Sequence, residues 1–357
     1  MRFNRFDAKN TGQLRRRILS MALPVILLGA CISPSLAFVG CVPCDGCWIQ
    51  SEGQMVLTIM DREEGLVRMI PNIRFTWGAA TFALIVPTPS LPELDLAPAS
   101  LWWNATDMTR STYSKRDWGS GGLGCSENAW DTQAGYATED EIIYSQQTIG
   151  NLEATILSSD NPDTLVAWLR DNGFELSHSD AEKFAPYVER GWFFTVLRPD
   201  TTQPGYEPPD WRWDANIAPI AFTYSADSFE LPLPILAINR AWSFPVAVFV
   251  VDDHRMNLQG FQTLYANRIT EDEYAAIGVT YPSLAAFLAP GRFFTRLDRT
   301  FSANDPMSEP LLLGPASNDD EFRRHGGVYW GGIPIAWILV AALPVKQWIQ
   351  RRRRRLI

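Results

Sequence analysis

The chain has 357 residues, of which 46% are hydrophobic and 20% are charged, and its formal net charge is −9. This composition is that of a globular protein and excludes general disorder. Basic residues concentrate at the two ends, so residues 38–325 carry 19 basic and 39 acidic side chains, a net charge of −20. A body this acidic is repelled by phosphate backbones, which argues against nucleic acid as a partner.

The first 37 residues have the order of regions found in a secretory signal peptide. The basic run Arg15–Arg17 precedes an apolar stretch, and Ser35–Ala37 offers a small-x-small cleavage site. The sequence LGAC, which ends at Cys31, resembles the lipobox of lipoprotein signals. Lipidation at Cys31 and an uncleaved anchor are therefore alternatives to cleavage after Ala37. We favour cleavage after Ala37, which makes residues 1–37 the signal peptide.

The N-terminal part of the body, residues 38–200, contains several runs rich in β-branched and aromatic residues. Turn signals such as REEG and GAA separate these runs, which predicts strands. The predicted strands are 55–61, 66–77, 81–90, the hairpin 141–157 with its turn near Gly150–Asn151, and 192–199.

Two helices are predicted between the hairpin and the strand that follows it. The first has Asn161 as its N-cap, Pro162 at the first helical position and Gly173 beyond its end. The second opens with a capping box formed by Ser179 and Glu182 and stops at a glycine.

A Pro-rich segment, 201–214, divides this part from the C-terminal part of the body, residues 201–325. A capping box at Thr270 and Glu273 predicts a helix there, and a short second helix follows it. The predicted strands of this part are 217–224, 231–238, 244–253 and 292–301. Strands with inserted helix pairs and no strict β-α alternation predict an α+β fold with antiparallel-rich sheets.

Residues 326–349 have the length and composition of a membrane-spanning helix. They contain no charge before Lys346, and five arginines, Arg351–Arg355, follow. The positive-inside bias keeps these arginines in the cytoplasm, although a nucleic-acid-binding tail is an alternative explanation of them. We therefore expect a single-pass protein of the cell membrane with one C-terminal transmembrane helix. Its bulk is extracytoplasmic, and residues 350–357 form a basic cytoplasmic tail.

Three cysteines lie close together in the stretch CVPCDGC, and a fourth follows far along the chain. With the signal peptide removed, the mature chain contains Cys41, Cys44, Cys47 and Cys125. An even number of cysteines in an oxidising compartment predicts two disulfides, and we expect one of the first three to pair with Cys125. A metal site built from the four, a redox centre and a lipidated Cys41 are the alternatives.

No nucleophile-and-base pairing can be assembled from the spacing of the other polar residues. The stretch DDHR at the end of a predicted strand contains Asp252, Asp253 and His254, which could form a metal or acid–base site. We favour a solvated strand end at which His254 and Arg255 pair with these two acids, because neighbouring residues of a strand point to opposite faces and cannot all converge on one site. His178 is expected in a surface turn and His325 beside the membrane. No cofactor is predicted.

Five stretches of the body resemble, in the same order, those of one known family. They are TFALIVPTPSLPEL (81–94), DTLVAWLRDNGF (163–174), YVERGWFFTVLRP (187–199), FPVAVFVVDDHRM (244–256) and RFFTRLDRTF (292–301). The family is a bacterial one, catalogued as domain of unknown function 2330, and the resemblance covers roughly residues 38–345. Its members similarly have an N-terminal signal, a Cys-rich start and often a C-terminal membrane helix. The resemblance implies this topology and no particular chemistry, and CVPCDGC departs from the shorter two-Cys start of other members.

These observations predict an uncharacterised, membrane-anchored extracytoplasmic protein that is a binding or structural component of the bacterial cell envelope. Besides the membrane itself, the expected partner is an envelope protein or a glycan. The alternative is an envelope hydrolase or metal-dependent enzyme that uses Asp252, Asp253 and His254. The two hypotheses differ in whether these three side chains meet around a pocket.

Overall fold

The computed structural model describes residues 35–36, 40–44, 49–77, 82–110, 133–135, 142–200 and 219–323 of the chain. The predicted Pro-rich segment and the predicted membrane span lie outside these residues, as does the predicted signal peptide apart from residues 35–36. None of the described helices is long and apolar enough to cross a membrane.

Strands outnumber helices in the described residues. In chain order the strands are β1 (Ser35–Leu36), β2 (Gly40–Pro43), β3 (Ile49–Asp61), β4 (Leu66–Trp77), β5 (Phe82–Thr88), β6 (Glu93–Leu96), β7 (Gln133–Gly135), β8 (Ile143–Ile149), β9 (Leu152–Ser158), β10 (Phe193–Pro199), β11 (Ile220–Ser225), β12 (Phe229–Leu231), β13 (Ser243–Asp252), β14 (Met256–Leu258), β15 (Gln262–Arg268), β16 (Phe293–Ser302), β17 (Leu311–Pro315) and β18 (Phe322–Arg323). The helices are α1 (Leu101–Met108), α2 (Pro162–Asp171), α3 (His178–Val188), α4 (Leu233–Leu236), α5 (Glu271–Thr280) and α6 (Pro282–Ala285). The prediction of a sheet-rich α+β structure with antiparallel sheets is therefore confirmed.

The largest sheet has eight strands in the order β18-β15-β16-β13-β3-β4-β11-β6. Its centre is the apolar strand β13, which pairs antiparallel with β16 over ten residues and parallel with β3. β3 and β4 form a long hairpin, and its turn ends at Gly65, where a φ of +65° favours glycine. Strands from both sides of the segment 201–214 thus lie side by side in one sheet.

Two smaller sheets complete the strand pairing of the described residues. Six strands run in the order β2-β5-β10-β9-β8-β7, and four run in the order β1-β12-β17-β14. Every residue of β5 is buried, which explains why its sequence is a continuous apolar run instead of an alternating one. Leu84 points into the core shared with the eight-stranded sheet, and Ile85 points to the opposite face.

Three apolar clusters join the sheets and helices into four layers. The first cluster fills the space between the two large sheets and includes Leu84 and Val248. In the second, α2 and α3 cover the outer face of the six-stranded sheet, with Phe184 packed on Phe194. In the third, α1, α5 and α6 cover the outer face of the eight-stranded sheet, around Phe249. All described residues belong to one compact unit.

Several predicted elements have the expected limits or caps. β4 covers the predicted range, and the hairpin of β8 and β9 turns at Gly150. The side chain of Asn161 caps α2, and Pro162 is its first residue. The capping box of Thr270 and Glu273 begins α5. These predictions are confirmed. They could be made from the sequence because each depends only on neighbouring residues.

The start of α3 differs from its prediction. The helix begins at His178, and the Asp180 carboxylate accepts a hydrogen bond of 2.7 Å from the backbone N–H of Ser177. The capping box predicted at Ser179 and Glu182 is therefore wrong by two positions. Ser177 and Asp180 have the same spacing, so the sequence allows two capping boxes, and the helix uses the earlier one. His178 accordingly lies at the start of a helix instead of in a turn.

Other differences concern short elements. The predicted strand 231–238 is replaced by the end of β12 and the helix α4, in a stretch where Pro232 and Pro234 cannot donate to a sheet. β16 was predicted to be the last strand, but β17 and β18 follow it. Strands of two to five residues such as these show too little alternation to be recognised from sequence.

Candidate functional site at the end of strand β13

The DDHR stretch lies where the central strand of the eight-stranded sheet ends. Residues 246–252 are all buried, and Asp252 is the last residue of β13. Asp253–Arg255 then lead the chain into β14. The polar residues thus lie where a buried strand reaches the rim of the sheet.

Asp252 forms a two-point ion pair with Arg62, which lies in the turn between β3 and β4. Arg62 Nη2 donates to Oδ2 of Asp252 at 2.8 Å, and Nε donates to Oδ1 at 3.2 Å. The side chain of Asp252 is completely buried, whereas 40% of the Arg62 side chain is exposed. The backbone N–H of His254 also donates to Oδ1, at 3.3 Å. The Asp252 carboxylate is therefore neutralised by charge-assisted hydrogen bonds.

Asp253 is paired with a different arginine. Arg292 Nε lies 3.0 Å from Oδ1 of Asp253, at the start of the neighbouring strand β16. Arg292 also donates to the backbone oxygen of Met60. The side chain of Asp253 is half exposed, unlike that of Asp252, as expected for neighbouring residues that point to opposite sides.

His254 and Arg255 both contact Asp319, which follows β17. His254 Nδ1 lies 2.9 Å from Oδ2 of Asp319, and the backbone N–H of Arg255 donates to Oδ1 at 2.9 Å. Arg268, at the end of β15, donates to Oδ2 through Nη2 at 3.2 Å. These contacts, with the His254 hydrogen bond as the largest favourable one, hold the pKa of Asp319 below its ordinary value of 3.8.

The same residues hold the segment 316–323 against the eight-stranded sheet. Arg255 Nη1 donates to the backbone oxygen of Asp320 at 3.0 Å. The backbone N–H of Arg268 donates to Glu321 Oε1 at 3.3 Å, and β18 then pairs with β15. We call the residues that make these contacts the C-terminal clamp, which consists of His254, Arg255, Arg268 and Asp319.

The three candidate catalytic residues, Asp252, Asp253 and His254, do not meet around one site. Each is bound to its own partner, in a different direction. A cavity of about 450 Å³ is lined by Arg268 and Glu321 among others, but by none of these three. Within the described part of the chain, no group of three or more His, Cys, Asp or Glu side chains could hold a metal ion. The geometry gives the hydrolase or metal-enzyme alternative no support.

Cys41 is a free cysteine and lies completely inside the protein. It lies on β2, opposite Leu84 of β5, and packs in the core between the two large sheets. Burial raises the pKa of its thiol to about 12. A hydrogen bond with Ser51 lowers this pKa, but by less than burial raises it. The prediction of a disulfide at Cys41 is therefore wrong, because the strand pairing places this side chain in the apolar core.

The remaining cysteines differ from Cys41. Cys44 is half-buried, forms an isolated β-bridge with Phe174, and is not a free thiol. Cys31, Cys47 and Cys125 lie outside the described residues, as does His325. A metal site of four cysteines therefore stays a prediction, because two of its four ligands lie outside the described residues.

Sequence reasoning missed the partners of the DDHR stretch, namely Arg62, Arg268, Arg292 and Asp319. Arg62 is 190 positions from Asp252, and no local motif connects them. They meet because β3 and β13 are parallel, with Ile59 beside Val251, so that both strands end at the same rim. Asp319 is 65 positions from His254 and lies in an irregular segment. The register of the sheet brings the three arginines to the site, whereas Asp319 reaches it from outside any strand.

Comparisons with known proteins identify a family but no activity. No curated protein matches the chain. The solved structure titled crystal structure of baculovirus P35 has 11% identity and a TM-score of 0.31, and the match covers 61% of this chain and 75% of that one. A mutated baculovirus P35 after caspase cleavage has 10% identity and a TM-score of 0.27, with coverage of 61% and 78%. The profile of a family described as uncharacterized protein conserved in bacteria, domain of unknown function 2330, matches residues 34–311. The chain belongs to this family of bacterial proteins.

Proposed function

We propose that the chain is a membrane-anchored extracytoplasmic protein and a binding or structural component of the bacterial cell envelope. In this proposal residues 1–37 direct export and residues 326–349 span the cell membrane once. The described body lies outside, and residues 350–357 stay in the cytoplasm. The length and apolar character of 326–349, followed by five arginines, support this topology.

The observation that carries the proposal is the C-terminal clamp. His254 and Arg255, the most chemically suggestive residues of the body, contact Asp319 at 2.9 Å. Asp319 lies in the segment that leads to the proposed membrane span. The contacts therefore hold the segment before the proposed anchor against the body, and they pair the acidic and imidazole side chains of the DDHR stretch. A structural role explains this arrangement directly.

The state of the cysteines supports an oxidising location. Cys44 is not a free thiol, in contrast to the buried Cys41. We propose that it forms a disulfide with Cys47 or Cys125. Disulfides persist outside the cytoplasm and are rare inside it.

Exposed aromatic side chains support a binding role towards an envelope protein or glycan. Trp103 and Trp242 are large, and most of the surface of each is open to solvent. Tryptophan is enriched at binding surfaces because its broad ring can stack on sugars or pack against a partner.

Topology can be tested with the full chain carrying an epitope tag after residue 357. We expect the protein in the membrane fraction. Protease added to intact spheroplasts should digest the body and leave the tag protected until the membrane is lysed. A matched variant that ends at residue 325 should be released from the membrane. A soluble full-length protein, or a body that resists protease until lysis, would overturn the proposal.

A further inference from the structure

The described body ends at one edge of its largest sheet. β18 is the outermost strand of the eight-stranded sheet and, among the described strands, pairs only with β15. It ends at Arg323, and the proposed membrane span begins at Gly326. Three residue steps of at most about 3.5 Å each allow a separation of about 10 Å between these two points. The short link places this edge of the sheet close to the bilayer.

We propose that the edge formed by β15 and β18 faces the outer surface of the membrane and contacts the phospholipid headgroups. This inference rests on the proposed membrane anchoring and adds to it the face of the body that meets the lipid.

The C-terminal clamp keeps the body from turning freely on its short link. Asp319 is bound by His254, Arg255 and Arg268, and Arg255 also holds the backbone oxygen of Asp320. These contacts lie immediately before β18, so the last described residues keep one direction relative to the sheet. A flexible linker would allow many orientations, whereas a clamped segment with a short link allows few.

The charge of this edge allows contact with anionic headgroups, even though the charge of the body as a whole opposes it. A net charge of −20 for residues 38–325 implies repulsion from an anionic lipid surface. At this edge, however, the acids Asp319, Asp320 and Glu321 are matched in number by Arg255, Arg268 and Arg323. Asp319 is paired with Arg268 and His254. The net charge of the edge is therefore far smaller than that of the body, and so is its repulsion from anionic headgroups.

The side chains of β18 are of the kind found at membrane interfaces. Phe322 and Arg323 are both exposed. The Arg255 guanidinium lies 5.9 Å from the centre of the Phe322 ring, and that of Arg323 lies 5.1 Å from the centre of the Tyr265 ring. Aromatic rings and arginines at the headgroup level combine an apolar body with a polar or charged end.

The opposite edge of the same sheet provides a matched control position. β6 is separated from β18 by seven strand spacings, or roughly 34 Å at about 4.8 Å each. Leu96 of β6 is 38% exposed and Phe322 is 37% exposed. The two positions therefore differ in their place on the sheet and not in their accessibility.

The test introduces the photoreactive residue p-benzoylphenylalanine at Phe322 or at Leu96 of the full chain. Each variant is reconstituted in vesicles of phosphatidylethanolamine and phosphatidylglycerol and irradiated, and lipid adducts are measured by mass spectrometry. We expect about tenfold more lipid adduct at position 322, because the headgroup layer is only about 5–8 Å thick and position 96 lies far beyond it. Equal adduct at the two positions, or none at 322 in membrane-bound protein, would overturn the inference.

Two further outcomes separate this inference from the proposed function. If neither variant associates with vesicles or cell membranes, the anchoring itself is wrong. Insertion of a flexible segment of twenty Gly and Ser residues after Arg323 should abolish the difference between positions 322 and 96, because the body can then reorient. An unchanged difference would contradict the claim that the short link sets the orientation.

Discussion

Replacing Arg62 by alanine is predicted to destabilise the protein by about 3 kcal/mol, because it leaves a buried carboxylate without its cation. Asp252 is completely buried, and after the substitution its carboxylate keeps the 3.3 Å hydrogen bond from the His254 backbone N–H but has lost its cation. Breaking a buried ion pair from one side costs about 3–5 kcal/mol, and we take the lower end because Arg62 is partly exposed to water.

The other single change at this pair is predicted to cost less. Asp252→Asn keeps the shape of the side chain and removes the charge, so we expect a loss of about 1–2 kcal/mol. The double variant Arg62→Ala with Asp252→Asn should be more stable than Arg62→Ala alone, because no buried charge then remains.

Arg68 provides the matched control. Its side chain is 39% exposed, like that of Arg62, but its partner Asp95 is 68% exposed and lies 3.7 Å away. Arg68→Ala is therefore expected to cost less than about 1 kcal/mol, including its contact with the Phe287 ring. Urea unfolding of the purified variants measures all four free energies. A cost for Arg62→Ala no larger than for Arg68→Ala, or a double variant less stable than Arg62→Ala, would refute the reasoning.

Three other predictions follow from single positions. Cys41 should resist a maleimide reagent at pH 8 in the folded protein and react fully in urea, because its thiol is buried and has a raised pKa. Labelling of Cys41 in the native state would contradict its burial in the core. Gly53→Ala should reduce the free energy of unfolding by more than about 2 kcal/mol, because the added Cβ would lie 2.8 Å from the Pro245 ring. Gly65→Ala should cost about 1 kcal/mol, because its Cβ would meet no atom within 4 Å and only the φ of +65° is unfavourable. Equal losses of the two variants in thermal unfolding would be inconsistent with the contact at Pro245. Burial raises the pKa of Glu230 above 4.5, so the folded state binds its proton more tightly and stability should fall as the pH rises through this raised pKa. Glu230→Gln should flatten that part of the unfolding profile, and an unchanged slope would show that another group is responsible.

The parts of the fold that sequence could predict are those determined by neighbouring residues. Asn161 and Pro162 specify the start of α2 without any help from the rest of the protein. The start of α3 shows the limit of this reasoning. Ser177 with Asp180 and Ser179 with Glu182 have the same capping-box spacing, and the helix uses the first pair. The pairing of β3 with β13 brings together residues about 190 positions apart, which periodicity alone cannot reveal.

The candidate site was predicted in its position but not in its contacts. Strand alternation correctly indicated that the polar side chains would not converge on one site. The expected pairing of the His254 and Arg255 side chains with Asp252 and Asp253 is wrong, because the acids bind other arginines and His254 binds Asp319. Their arginines could not be identified, because Arg62 and Arg292 reach the site through the sheet register. The expected disulfide at Cys41 failed for a related reason. An oxidising compartment and an even number of cysteines predict disulfides in general. Only the pairing of β2 with β5 shows that the Cys41 thiol lies in the apolar core.

The central claim is that the DDHR stretch holds residues 316–323, the segment that leads to the proposed membrane span. Hydrogen exchange of residues 316–323 in the full chain tests it most directly, with Asp319→Ala compared with Asp320→Ala. The Asp319 carboxylate is bound by three residues, whereas Asp320 takes part through its backbone oxygen. We predict that Asp319→Ala speeds exchange throughout this segment, whereas Asp320→Ala leaves it unchanged. Equal exchange in the wild type and the Asp319→Ala variant would contradict the clamp and the structural role assigned to these residues.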